Sequence, residues 1–114
     1  MTRFEPGDVV LVRFPFTNLS AVKKRPALVV SPGDFTDRHG DVVIVALTSQ
    51  PQPTEEDSLQ GWMTAGLLKE TWLKPLIGTV AAGVVERRLG SLSPYDRSRV
   101  AATLRRLIAS MFRG

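Results

Sequence analysis

Residues 42–47, VVIVAL, form six apolar residues in an unbroken row within DVVIVALTS, Asp41–Ser49, and this run restricts the fold more than any other stretch. Short and rich in β-branched residues, it reads as a strand covered on both faces, so the chain must supply an apolar layer on each side of it. Thr48 and Ser49 then leave the core together at the strand end. The other signals agree with a β protein. Gly7-Asp8 punctuates the start, and residues 8–14 read as a first strand. From Phe16 to Lys24 no period is sustained, so this stretch is a long excursion, a common place for function. Ala27–Ser31 is a second strand closed by Pro32-Gly33, and an irregular polar segment runs on to Gly40.

Beyond the long strand, residues 50–58, QPQPTEEDS, read as a mobile Pro- and acid-rich loop. Leu59–Met63 reads as a short strand, Thr64–Leu68 as a helical turn, Trp72–Val80 and Val84–Leu92 as further strands. A helix begins at Pro94, with Ser93 as cap and Asp96 three residues on as in a capping box. Val100, Leu104, Leu107, Ile108 and Met111 make its apolar stripe, expected to pack on the sheet, and Arg99, Arg105, Arg106 and Arg113 its solvated side. The expected fold is mainly β (α+β): short antiparallel strands in a strongly bent sheet or barrel, about residues 7–92, then a C-terminal amphipathic helix, about 94–112, in one domain spanning 1–114.

Composition excludes more than it selects. There is no cysteine, so disulfides, thiolate nucleophiles and cysteine zinc sites are ruled out. No apolar run is long enough to cross a bilayer, and MTRFEPGD lacks the apolar core of a signal peptide, which makes the cytoplasm the expected location. Fifteen Lys and Arg against 11 Asp and Glu give a net charge of +4, which leans towards an anionic partner. His39 is the single histidine, so an acid–base pair of histidines is impossible. No metal-ligand spacing, G-x-S-x-G elbow or phosphate loop occurs, and neither metal nor cofactor is expected.

What remains is SAVKKRPALVV, Ser20–Val30, where Lys23, Lys24 and Arg25 meet an apolar run. Pro26 biases Arg25 towards extended backbone. If the strand after Arg25 pairs with the strand ending at Thr48, an arginine fork and a hydroxyl converge. Such donors suit a phosphodiester whose charge grows in a pentacovalent transition state. RNA brings its own nucleophile, the 2′-hydroxyl, so a protein need only position the strand and move protons.

These segments resemble the MazF/PemK-like endoribonuclease toxins of type II toxin–antitoxin pairs. GDVVLVRFPFTNLS is similar to the family's first strand and loop, KRPALVVS to its second strand, VVIVALTS to its third, and RRLGSLSPYD to the entry of its last helix. The resemblance implies an SH3-like barrel, a homodimer, metal-independent cleavage of single-stranded RNA (mRNA) to a 2′,3′-cyclic phosphate and a 5′-hydroxyl, and neutralisation by a cognate antitoxin. Arg25 and Thr48 match the catalytic positions. Ser20 stands where many relatives carry a glutamate, so the general base is unassigned, and a guanidinium is a poor base near neutral pH. Arg25 is expected to stabilise the phosphorane and Thr48 to hold the phosphate or the 2′-hydroxyl. Phe16, Ser20, Lys23, Lys24 and Ser49 are candidate RNA contacts, with Phe16 either stacking a base or filling the core. Trp62 and Trp72 are expected in the core. Arg87 and Arg88 alternate across a strand, so at most one should face any groove. Met111 and Phe112 extend apolar surface towards a second subunit. Two other functions stay open: a catalytically silent barrel that binds RNA or protein, and a DNA- or gyrase-directed toxin on the same fold.

Overall fold

The computed structural model describes residues 3–14 and 23–112. Five antiparallel strands form one sheet: β1 (Asp8–Phe14), β2 (Lys23–Val29), β3 (Asp41–Thr48), β4 (Trp72–Ala81) and β5 (Val85–Ser91), in the spatial order β4-β3-β2-β1-β5. A short helix, α1 (Gly33–His39), precedes β3, and α2 (Pro94–Ala109) follows β5.

The sheet divides the interior into two cores, as the uninterrupted run in β3 requires. Val9, Leu28, Val45, Leu47 and Leu73 face one way, with Leu59, Leu67, Leu92 and Val100 packed over them. Val10, Val12, Ala27, Val29, Val42 and Ile44 face the other, under Phe4, Val80 and Val85. The register explains the split: Val9 pairs with Leu28 and Leu28 with Val45, while Val10 pairs with Ala27 and Ala27 with Ala46. A buried Val or Leu contributes roughly 1.5–3 kcal/mol, so both layers matter to stability.

The two edge strands, β4 and β5, are joined by only a three-residue 3-10 turn, Ala82–Val84. The sheet therefore curls until its edges approach at that end. Among the described residues no ladder joins β4 to β5, so the expected barrel is an open, curled sheet. Pro75 is tolerated in β4 because the register against β3 shifts between Val45 and Leu47, leaving an irregular stretch on an edge strand where the missing N–H breaks no regular pairing.

Several local expectations are corrected. β2 begins at Lys23, so the three cations lie within the strand, paired with β1, and the strand ends at Val29. The segment before Gly40 is helix α1, closed by Gly40 at φ 72. Residues 59–63 form no strand; Leu59 N–H donates to the Thr71 carbonyl and the chain then turns. Residues 55–57 of the acidic loop are a 3-10 turn that the Arg99 guanidinium holds through the Glu55 and Glu56 carbonyls, at 3.0 and 2.9 Å. Arg99, only a quarter exposed, is thus a clamp as well as a cation. Trp62 packs at the border of the first core, whereas Trp72 is only partly buried and belongs to neither core.

α2 starts as foreseen, with the Ser93 hydroxyl accepting from Asp96 N–H at 3.2 Å. The Asp96 side chain does not complete a capping box. It is 1% exposed, accepts from Gln60 and Gly61 N–H at 2.9 and 2.7 Å, and lies 3.7 Å from Arg99. Two backbone donors in a tight turn outcompete the helix's own terminus for that carboxylate. The apolar stripe is covered only in part: Val100 is buried and Leu104 packs on the first core, but Leu107, Ile108 and Met111 are exposed.

Candidate functional site

Pairing of β2 with β3 runs from Ala27↔Ala46 to Val29↔Ile44. It stops at Pro26, which has no N–H with which to extend a ladder. Continued by two residues, the same register would set Arg25 opposite Thr48. Side chains two apart share a face, so both stand on the face of Ala27 and Ala46, at the solvent end of the second core. Arg25 is exposed and Thr48 half-buried, so a ligand reaches both from outside.

The Thr48 hydroxyl oxygen accepts from Gln50 N–H at 3.1 Å. That bond uses one lone pair, so the hydroxyl keeps its proton to give and a second lone pair to accept. It also fixes the first residues after β3 and aims the hydroxyl. Across the sheet Arg25 neighbours Val12, and Val12 neighbours Val85 on β5. The guanidinium therefore rises from an apolar row that holds its strand in place.

Strand alternation sorts the remaining candidates. Lys23 shares the Arg25 face and is exposed. Lys24 points to the other face, where its ammonium meets the Glu86 carboxylate at 2.9 Å. Both partners are partly exposed, so the pair adds at most about 1 kcal/mol, yet it ties β2 to β5 across β1. Ser49 lies in an exposed bend just past β3. Phe16 and Ser20 fall outside the described residues. His39 ends α1, its ring 4.6 Å from that of Phe35. It stands beyond the Asp41 end of β3, about 24 Å of strand away from Thr48, so it takes no part in this site.

Glu86 is the group that sequence reasoning passed over. Sixty-two positions separate it from Lys24, and only the β2-β1-β5 order brings them together. Arg13 makes a second link of this kind, its guanidinium donating to the Gly83 carbonyl at 3.2 Å. Between β5 and the Ala82–Val84 turn lies an open groove of about 450 Å³, lined by Phe4, Ala82, Val85, Glu86, Arg87 and Arg88. Both arginines line it. The pairs Val10↔Arg88 and Leu11↔Arg87 are consecutive, with the register shifts of β5 falling on either side of them, so the two arginines still alternate across the strand. Arg88 also lies 3.6 Å from the buried Asp8 carboxylate, which in turn accepts from Glu5 N–H at 2.9 Å. Among the described residues no three His, Asp or Glu side chains group as metal ligands, and no helix is long and apolar enough to cross a membrane.

A family model of the PemK-like, MazF-like toxins of type II toxin–antitoxin systems matches residues 5–108. The chain belongs to this family. Solved structures of MazF-type proteins agree in fold. A MazE–MazF complex from Deinococcus radiodurans superposes with a TM-score of 0.76 at 17% identity, covering 95% of this chain and 98% of that one. MazF alone from the same organism gives 0.75 at 18% identity, covering 96% and 99%. An endoribonuclease with its cognate antitoxin from a mycobacterial species gives 0.67 at 18% identity, covering 96% of each chain. No curated protein sequence matches. Arg25 lies in β2 and Thr48 ends β3.

Proposed function

We propose that this MazF/PemK-like toxin is a metal-independent endoribonuclease that cleaves single-stranded RNA in the cytoplasm. The observation that supports the reading is the β2–β3 register ending at Ala27↔Ala46, whose continuation would bring the exposed Arg25 towards the Thr48 hydroxyl. In the proposed step the 2′-hydroxyl oxygen attacks the adjacent phosphorus, and the bond to the 5′-oxygen breaks. The products are a 2′,3′-cyclic phosphate and, once a proton is supplied, a 5′-hydroxyl. Arg25 donates to the non-bridging oxygens as their charge grows. The Thr48 O–H donates to the same phosphate or orients the 2′-hydroxyl, and Lys23 holds a flanking phosphate. Arginine stays protonated near neutral pH, so Arg25 serves as a hydrogen-bonding stabiliser, and the groups that take the proton from the 2′-hydroxyl and supply one to the 5′-oxygen are left unassigned.

The exposed apolar end of the chain supports a homodimer: Leu107 and Ile108 are about half exposed, and Met111 and Phe112 are 80% and 82% exposed. An antitoxin partner follows from the family and from the complexes formed by similar proteins. The test is incubation of the purified protein with single-stranded RNA in chelator. New 5′-hydroxyl and 2′,3′-cyclic phosphate ends are expected. Intact RNA across a broad set of sequences, or cleavage that requires a divalent cation, overturns the proposal.

A further inference from the structure

Trp72 opens β4 directly opposite Thr48, with which it is paired in the β3–β4 register. Opposed residues of an antiparallel pair share a face, their Cβ atoms about 5 Å apart. The indole therefore stands beside the Thr48 hydroxyl at the same end of the sheet. Its neighbours Thr71 and Leu73 are buried, and Leu73 packs into the first core on the other face. The backbone at Trp72 is held on both sides, by β3 and by a bridge to Ser58. The side chain itself enters neither core and stays partly open to solvent, whereas Trp62 packs on the first core. Tryptophan is among the side chains that gain most from burial, so a ring left open beside a hydroxyl of the candidate site is a surface that a ligand can cover.

A protein side chain is the competing cover, and the surroundings favour a nucleotide. Of the three cations of β2, Lys24 is the one paired with a carboxylate among the described residues, and it points to the other face. Lys23 and Arg25 lie exposed on the face of Thr48. An apolar partner spreading from the ring over this face would desolvate both charges without compensation. A nucleotide joins a flat π face to an anion, and so matches an indole beside a hydroxyl and two cations.

We propose that Trp72 is the stacking platform for one of the two bases that flank the phosphate held at Thr48; this rests on the RNA-cleaving reading above. Every base has a π face, so the ring supplies affinity and position rather than a choice of base. A base held there restrains the sugar that joins it to the phosphate, and with it the position of the 2′-hydroxyl relative to phosphorus. Trp72 moves no proton. With two side-chain torsions and a backbone pinned on both edges, it holds a base at little cost in conformational entropy.

Abasic scanning tests this. Short single-stranded RNAs with a 2′-deoxy sugar at the cut, or throughout where no cut is found, are made lacking one base at a time, and their affinity for wild type, Trp72→Leu and Trp72→Phe is read by anisotropy. In the wild type, loss of the base at one position, next to the cut where there is one, should weaken binding roughly fivefold to 150-fold. Trp72→Leu should weaken the complete strand by a similar factor and make loss of that base nearly silent, while other positions keep their wild-type losses. Trp72→Phe should restore much of the effect. Leucine keeps apolar bulk at a residue outside both cores, so circular dichroism should show the wild-type fold. The wild-type scan alone overturns the platform if no base next to the cut contributes. Equal abasic losses in wild type and Trp72→Leu, on RNA that the wild type cuts, overturn the platform and leave the nuclease standing. A Trp72-dependent base effect without any cutting keeps the platform and removes the nuclease. Loss of subunit association in Trp72→Leu with no base effect assigns the ring to a protein contact and overturns the platform, and a protein that neither binds nor cuts RNA overturns both readings.

Discussion

Replacing Asp96 with alanine should be the most damaging single change away from the candidate site. Its carboxylate is 1% exposed and accepts from two backbone donors, Gln60 and Gly61, at 2.9 and 2.7 Å. Asp96→Ala orphans both, at about 1–3 kcal/mol each. It also removes the anion beside Arg99, although that guanidinium keeps its carbonyl partners at Ser58, Glu55 and Glu56. Desolvation of the carboxylate, no longer incurred, offsets part of the loss. The net is a destabilisation of about 3 kcal/mol. For 114 residues the unfolding entropy is near 240 cal/mol/K, so 1 kcal/mol corresponds to about 4 °C and the melting point should fall by about 12 °C. Asp96→Asn keeps one acceptor and should lose roughly half as much. Thermal unfolding followed by circular dichroism, checked against urea denaturation, reads the effect. An alanine variant melting within about 3 °C of wild type refutes the idea that this carboxylate anchors α2 to the turn at Gln60 and Gly61.

Gly66 sits at φ +83, and a Cβ there would run into the Leu89 carbonyl, so Gly66→Ala should destabilise by about 3 kcal/mol in the same melts. RNA affinity should fall with salt, and Lys23→Ala should flatten the log–log slope by about 0.7, the single-strand value for one phosphate contact. Lys24→Ala should change the slope less, because that ammonium is already neutralised by Glu86. Serine at both Met111 and Phe112 should yield monomers in analytical ultracentrifugation with little change in monomer stability, since both side chains are more than three-quarters exposed. A dimer that persists places the interface elsewhere.

The strands built from β-branched runs are legible because their signal is local. β1 and β3 follow from VVLV and VVIVAL, and the start of α2 follows from Ser93-Pro94. α1 is not legible: GDFTDRH has no apolar period, and Pro32, the residue just before it, makes no side-chain cap. β2 was expected four residues late because exposed lysines look like loop, yet pairing with β1 makes Lys23–Arg25 extended. Its register with β3, ending at Ala27↔Ala46, points Arg25 towards the Thr48 end of β3. Glu86 and the clamp of Asp96 and Arg99 on the acidic loop were beyond reach because their partners are distant in sequence. The resemblance located Arg25 and Thr48, and the sheet order added a groove that no short motif encodes.

A double-mutant cycle on RNA cleavage tests the central claim that Arg25 and Thr48 act on one phosphate. Arg25→Ala, Thr48→Val and the combined variant are compared with wild type on one susceptible RNA, and Thr48→Ser serves as the hydroxyl-retaining control. If both groups serve the same transition state, each single change should lower kcat/KM by roughly a hundredfold or more, with Thr48→Ser recovering much of the loss. The combined variant should be only slightly slower than Arg25→Ala alone. Cleavage that survives Arg25→Ala at the wild-type rate, or losses that simply multiply in the combined variant, contradicts the account.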